Sequence, residues 1–110
     1  MDPIPSISAT ELSERLRNGH PIRLLDVREP FERRIADLPD TDQQRIPMGE
    51  LERRVGELDR DVPVVVYCRT GSRSGLVTRW LRARGFDQAW NLEGGVMAWR
   101  DEIDPSLEAY

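Results

Sequence analysis

The sequence contains no lysine. All 16 basic residues among its 110 are arginines, which excludes Schiff-base chemistry on a lysine and any phosphate loop that depends on one. Cysteine and histidine occur once each, as Cys68 and His20. A lone cysteine cannot close an internal disulfide, and this pair cannot supply a zinc site, so neither a metal nor another cofactor is expected. Long apolar runs are missing too. The longest, Val62 to Tyr67, contains Pro63 and falls far short of the ~20 residues of a membrane helix. The opening Met1-Asp-Pro-Ile-Pro has neither the basic start nor the apolar stretch of a signal peptide, so a cytoplasmic location is expected. The net charge of −4 gives no basic footprint for nucleic acid or for an acidic membrane. Nothing in the chain calls for more than a monomer.

Short β-type runs alternate with amphipathic helical stretches, which predicts an α/β fold with a mainly parallel sheet. The length fits one domain spanning residues 1–110, with a core over about 6–102 and a tail over 103–110 that is expected to be ordered only in part. Ser8 to Glu11 has capping-box spacing, Leu12 and Leu16 share a face, and Gly19 is a stop. Ile22 to Val27 reads as a strand, followed by a helical turn around Phe31 to Ile35. Residues 37–45 are polar and irregular, with a brief strand over Gln44 to Ile46. Met48, Leu51, Val55 and Leu58 have helical spacing. Val62 to Tyr67 reads as a central strand, apolar on both faces. Leu76, Val77, Trp80 and Leu81 form the apolar stripe of a helix ending at Gly85. Gln88 to Leu92 is a last strand and Gly95 to Glu102 a closing helix.

The informative segment is Val64-Val-Val-Tyr-Cys68-Arg-Thr-Gly-Ser-Arg73-Ser74. A buried strand delivers the cysteine to the carboxyl edge of the sheet, where open α/β folds place their sites. The following residues curl into a helix, and Gly71 permits a left-handed backbone there. Successive N–H groups then point inward and, with the positive end of the helix, make a nest for an anion. Such a nest favours thiolate over thiol and equally suits the outer sulfur of a persulfide. Ser72 and Ser74 hydroxyls are further candidate donors; Arg69 and Arg73 are candidates to attract an anionic sulfur donor. A structural cysteine would need none of these neighbours.

Three blocks, in order, resemble the rhodanese family of sulfurtransferases. They are Asp26-Val-Arg-Glu-Pro-Phe-Glu32, Val66-Tyr-Cys68-Arg-Thr-Gly-Ser-Arg73-Ser74, and Gly85-Phe86 with Asn91-Leu-Glu-Gly94-Gly95-Val-Met-Ala-Trp99. The resemblance implies a rhodanese-like fold: a small, mainly parallel five-stranded sheet with helices on both faces. It also implies that Cys68 is the nucleophile and that Arg69, Thr70, Gly71, Ser72, Arg73 and Ser74 cradle the sulfur. The sulfur would come from thiosulfate, a persulfide or 3-mercaptopyruvate and go to cyanide, a thiol or a carrier. Between Ile35 and Pro47 the chain departs from the family pattern: the usual glycine turn and histidine are absent and two residues are added. The tail, Ala98 to Tyr110, is similar to the ends of rhodanese domains fused to adenylyltransferases that activate sulfur-carrier proteins, which implies a carrier as acceptor.

Other residues read as supports. Asp26 and Arg28, at the end of a strand, fit a structural ion pair or loop-fixing hydrogen bonds; Glu32 is a similar support or a solvated charge. Trp99 anchors the last helix, Trp80 belongs to the core and Trp90 is buried on one side. His20 is a surface residue at the opposite edge of the sheet. Two rival functions differ in kind. A cysteine phosphatase or arsenate reductase needs one more residue between cysteine and arginine, to wrap a tetrahedral oxyanion. A non-catalytic, partner-binding rhodanese module would lack the cysteine or have a broken loop.

Overall fold

In the computed structural model, which describes residues 3–110, five parallel strands form one sheet in the order β1-β5-β4-β2-β3. The strands are β1 (Ser6–Ile7), β2 (Arg23–Asp26), β3 (Gln43–Arg45), β4 (Val64–Tyr67) and β5 (Ala89–Leu92). The helices are α1 (Ala9–Arg17), the single turn α2 (Leu51–Arg54), α3 (Ser72–Arg82) and α4 (Gly95–Glu102). The five-stranded parallel α/β architecture expected from the resemblance is therefore present.

Alternation along the central strand divides the core. Val65 and Tyr67 pack on one face with Leu12, Leu24, Leu92, Val96 and Trp99, under α1 and α4. Val64 and Val66 pack on the other with Leu25, Leu51, Val77, Leu81 and Phe86, under α2 and α3. All four β4 residues are buried, as period-2 geometry demands of a strand covered on both sides. No helix among the described residues is long and apolar enough to cross a membrane.

The local signals act as expected at several ends. Ser8 Oγ accepts the Glu11 N–H at 3.1 Å and caps α1, while Gly19 adopts φ +74° just past its end. A 3₁₀ turn occupies Pro30–Arg34. The pattern from Met48 to Leu58 does not form one helix; it breaks into a 3₁₀ turn, α2 and a second 3₁₀ turn. Gly49 and Gly56 lie in the two 3₁₀ pieces, and their low helix propensity leaves tertiary packing to set the path.

Three further expectations need correction. The tail is fixed through its last residue: Ile103, Leu107 and Tyr110 pack against the α1/α4 side of the core, and Arg100 Nε donates to Leu107 O at 2.8 Å. Leu76 is 58% exposed, because α3 buries Ser74, Gly75, Val77, Thr78 and Leu81 instead. Trp90 is 40% exposed with the Arg82 guanidinium over its ring, since β1 pairs only with Asn91 and Leu92 and leaves Trp90 uncovered. Trp80 does pack, half-buried, against the α2/α3 side of the core, with Arg84 stacked on it. His20, by contrast, is exposed. With Arg15, Pro63 and Trp90 it lines a hollow at the amino ends of the strands, away from Cys68.

Candidate active site

Strand β4 ends at Tyr67, and Cys68 follows at the carboxyl edge of the sheet. The chain then turns through Gly71, at φ +99°, into the first turn of α3. This left-handed step aims main-chain donors back at the sulfur. Cys68 Sγ accepts from Gly71 N at 3.1 Å, Ser74 N at 3.4 Å and Ser74 Oγ at 3.3 Å. Burial pushes the Cys68 thiol up. Hydrogen bonds from the Ser74 hydroxyl and from the Ser74, Gly71 and Thr70 amides outweigh it, and the net displacement is downward.

The carbonyls of the same loop point the other way and are bound there. Val96 N donates to Cys68 O at 3.0 Å and Met97 N to Arg69 O at 3.1 Å, both from the first turn of α4. The fit leaves no room for a side chain: a Cβ on Gly95 would lie 2.4 Å from Cys68 O. Asn91 on β5 completes the frame. Its Nδ2 donates to Gly71 O at 3.2 Å, and its Oδ1 sits 2.6 Å from Ser74 Oγ. The single Ser74 hydroxyl proton therefore has two acceptors, the sulfur and Asn91.

Cys68 is itself completely covered. Arg69, Thr70 and Ser72 are exposed on the rim, and the Ser72 hydroxyl is not among the groups bonded to the sulfur. Arg73 makes two parallel bonds to Glu32, 2.8 and 2.9 Å. The Arg73 bond holds the Glu32 carboxyl down to about 2 against the opposing effect of burial. Arg69 is different: among the described residues its guanidinium faces an aromatic ring, that of Tyr110 at 5.2 Å, and no carboxylate.

Asp26 and Arg28 form an ion pair below this rim, with Arg28 Nε–Asp26 Oδ1 at 2.9 Å. Arg28 also donates to Ala36 O, Asp37 and the Tyr110 hydroxyl. Burial opposes the Arg28 charge, but its bonds to Asp26 and Tyr110 prevail and push its pKa upward. Asp37 gathers the segment that departs from the family pattern. It accepts from Arg28, Arg45 and the Tyr67 hydroxyl, and β3 pairs in register with β2 beside it. Sequence reasoning assigned no role to Asn91, Asp37 or Tyr110. Asn91 lies within the closing motif; Asp37 sits in the irregular segment between β2 and β3, where no pattern marks it, and Tyr110 has only long-range partners.

The model of the rhodanese-like domain matches residues 8–102. A sulfurtransferase from Allochromatium vinosum is 35% identical over 87% of this chain and 88% of its own length. A Mycobacterium tuberculosis protein named "Probable adenylyltransferase/sulfurtransferase MoeZ" is 33% identical over 96% of this chain, which corresponds to 27% of that protein. Among solved structures, a rhodanese-related protein from Thermoplasma volcanium superposes with a TM-score of 0.80 at 32% identity, covering 90% of this chain and 93% of that one. With the cysteine loop, the sheet order and these likenesses in agreement, the chain belongs to the rhodanese family and has a sulfurtransferase-type role.

Proposed function

We propose that Cys68 carries sulfane sulfur as a persulfide, taking it from thiosulfate or a protein persulfide and passing it to cyanide, a thiol or a sulfur-carrier protein. The observation that carries this reading is the convergence of two amides and a hydroxyl on one sulfur atom, with the loop carbonyls held elsewhere. The Cys68 thiolate attacks the outer sulfur of the donor. The donor S–S bond breaks, and with thiosulfate the bonding pair leaves on sulfite. The new terminal sulfur is an anion and takes over the N–H groups of the cradle. An acceptor nucleophile then attacks that sulfur and the Cys68 thiolate leaves with its electrons, closing a two-step cycle. No proton has to be moved, in agreement with a site that contains no histidine.

The spacing of Cys68 and Arg73 supports sulfur over phosphate, because a loop with four intervening residues closes around one atom. A carrier as acceptor is supported by the tail, whose likeness to adenylyltransferase fusions is matched by the similarity to MoeZ.

The test is intact mass spectrometry after incubation with thiosulfate. The protein is expected to gain about one sulfur, roughly 32 Da, lose it on adding cyanide, and show neither change as Cys68→Ala. Normal transfer by Cys68→Ala would sink the mechanism.

A further inference from the structure

The two guanidinium groups of the cysteine loop are in different electrostatic states. Arg73 is neutralised by Glu32, whereas Arg69 is exposed and keeps an unmatched charge one residue from the nucleophile. A free arginine carries about 2 kcal/mol of rotamer entropy, so an exposed charge attracts an anion well only if something restrains it. Tyr110 supplies that restraint. Its ring lies under the Arg69 guanidinium, within the range of a cation–π contact. The ring is itself held, packed against the core and tied by two bonds at its hydroxyl. Its hydroxyl accepts from Arg28 Nη1 at 2.8 Å and donates to Glu32 Oε1 at 3.0 Å, so both capacities are used. Leu107, three residues earlier, packs on the core. A continuous series of contacts thus runs from β2 through Asp26, Arg28 and Tyr110 to Arg69.

We propose that Tyr110 is a positioning residue that holds the Arg69 charge at the mouth of the cysteine cradle and thereby favours anionic over neutral reagents and sulfur donors. The inference rests on the reading of Cys68 as the nucleophile, but its test needs no turnover. Cys68 is the sole cysteine, so alkylation reports on that site alone. The ratio of its rates with iodoacetate (anionic) and iodoacetamide (neutral) measures the local positive charge.

In Tyr110→Leu the ratio should fall roughly two- to fivefold, the size of an exposed cation–π contact. Arg69→Gln should fall at least as far, and adding Tyr110→Leu to it should lower the ratio no further. Tyr110→Phe loses both hydroxyl bonds but keeps the ring and its packing against the core, so its ratio should fall less than that of Tyr110→Leu. An unchanged ratio in Tyr110→Leu, or an equal drop with and without Arg69, overturns the proposal. If Tyr110→Leu loosens the fold, Tyr110→Phe still decides: a drop as large as that of Arg69→Gln excludes the ring as the holding element. A normal wild-type ratio response combined with no persulfide from thiosulfate would count against the sulfur-transfer reading and leave the role of Tyr110 standing.

Discussion

Arg73 and Glu32 meet through two parallel hydrogen bonds and join the helix that carries the cysteine loop to the 3₁₀ turn after β2. The carboxylate is buried and the pair is 41 residues apart in sequence. Its main effect is therefore on the geometry of the site, with Arg73 bracing the loop.

That pair makes stability depend on acid. The folded-state value for Glu32 lies near 2, below the unfolded value near 4.3. The unfolded chain therefore takes up the proton first, and the Glu32 contribution is complete above about pH 5 and is lost as pH falls toward 2. Urea unfolding between pH 2 and 7 should show this slope in the wild type and less of it in Glu32→Gln. At pH 7 that variant should be less stable by about 1–3 kcal/mol, allowing for the partial exposure of Arg73.

The hydroxyl of Ser74 is among the donors to Cys68 Sγ, and it stabilises the thiolate. Ser74→Ala should shift the pH profile of Cys68 alkylation to higher pH and slow the reaction at pH 7 by roughly tenfold. Circular dichroism should show an unchanged fold. A profile identical to wild type would mean that the main-chain amides alone set the charge state.

Gly95 has no room for a side chain. A Cβ there would lie 2.4 Å from Cys68 O and 2.6 Å from Arg69 O, at a backbone φ of +60°. Gly95→Ala should cost about 2–4 kcal/mol in thermal or urea unfolding. Whatever protein folds should have lost most persulfide formation, because the loop has been displaced.

Much of this site could be read from the chain because its core is local. Strand β4, the turn at Gly71 and helix α3 are contiguous, and the Val-Val-Val-Tyr run, the glycine and the helix each carry their own signal. Helix α4 occupies the expected Gly95 to Glu102. What was missed depends on contacts between distant residues. β1 is only two residues long and exists through its pairing with β5. Leu76 looks like part of an apolar stripe, yet α3 turns its small side to β5. A Cβ on Gly75 would come within 2.9 Å of Ile4 and 3.5 Å of the Asn91 amide. Small residues that permit close approach carry little weight in a hydrophobicity pattern. Tyr110 and Glu32 are 78 positions apart, and nothing near either one announces the other.

The orientation of the loop backbone, amides toward sulfur and carbonyls toward α4, separates two kinds of information. The donors around Cys68 Sγ are main-chain amides and the buried Ser74 hydroxyl, none of them a side chain of the exposed rim. The side chains of Arg69, Thr70 and Ser72 are exposed and make no bond to the sulfur; on the proposed reading they are what donor and acceptor would meet. On that reading, such a site could be readdressed to new partners by changing a few exposed side chains while the surroundings of Cys68 stay as they are.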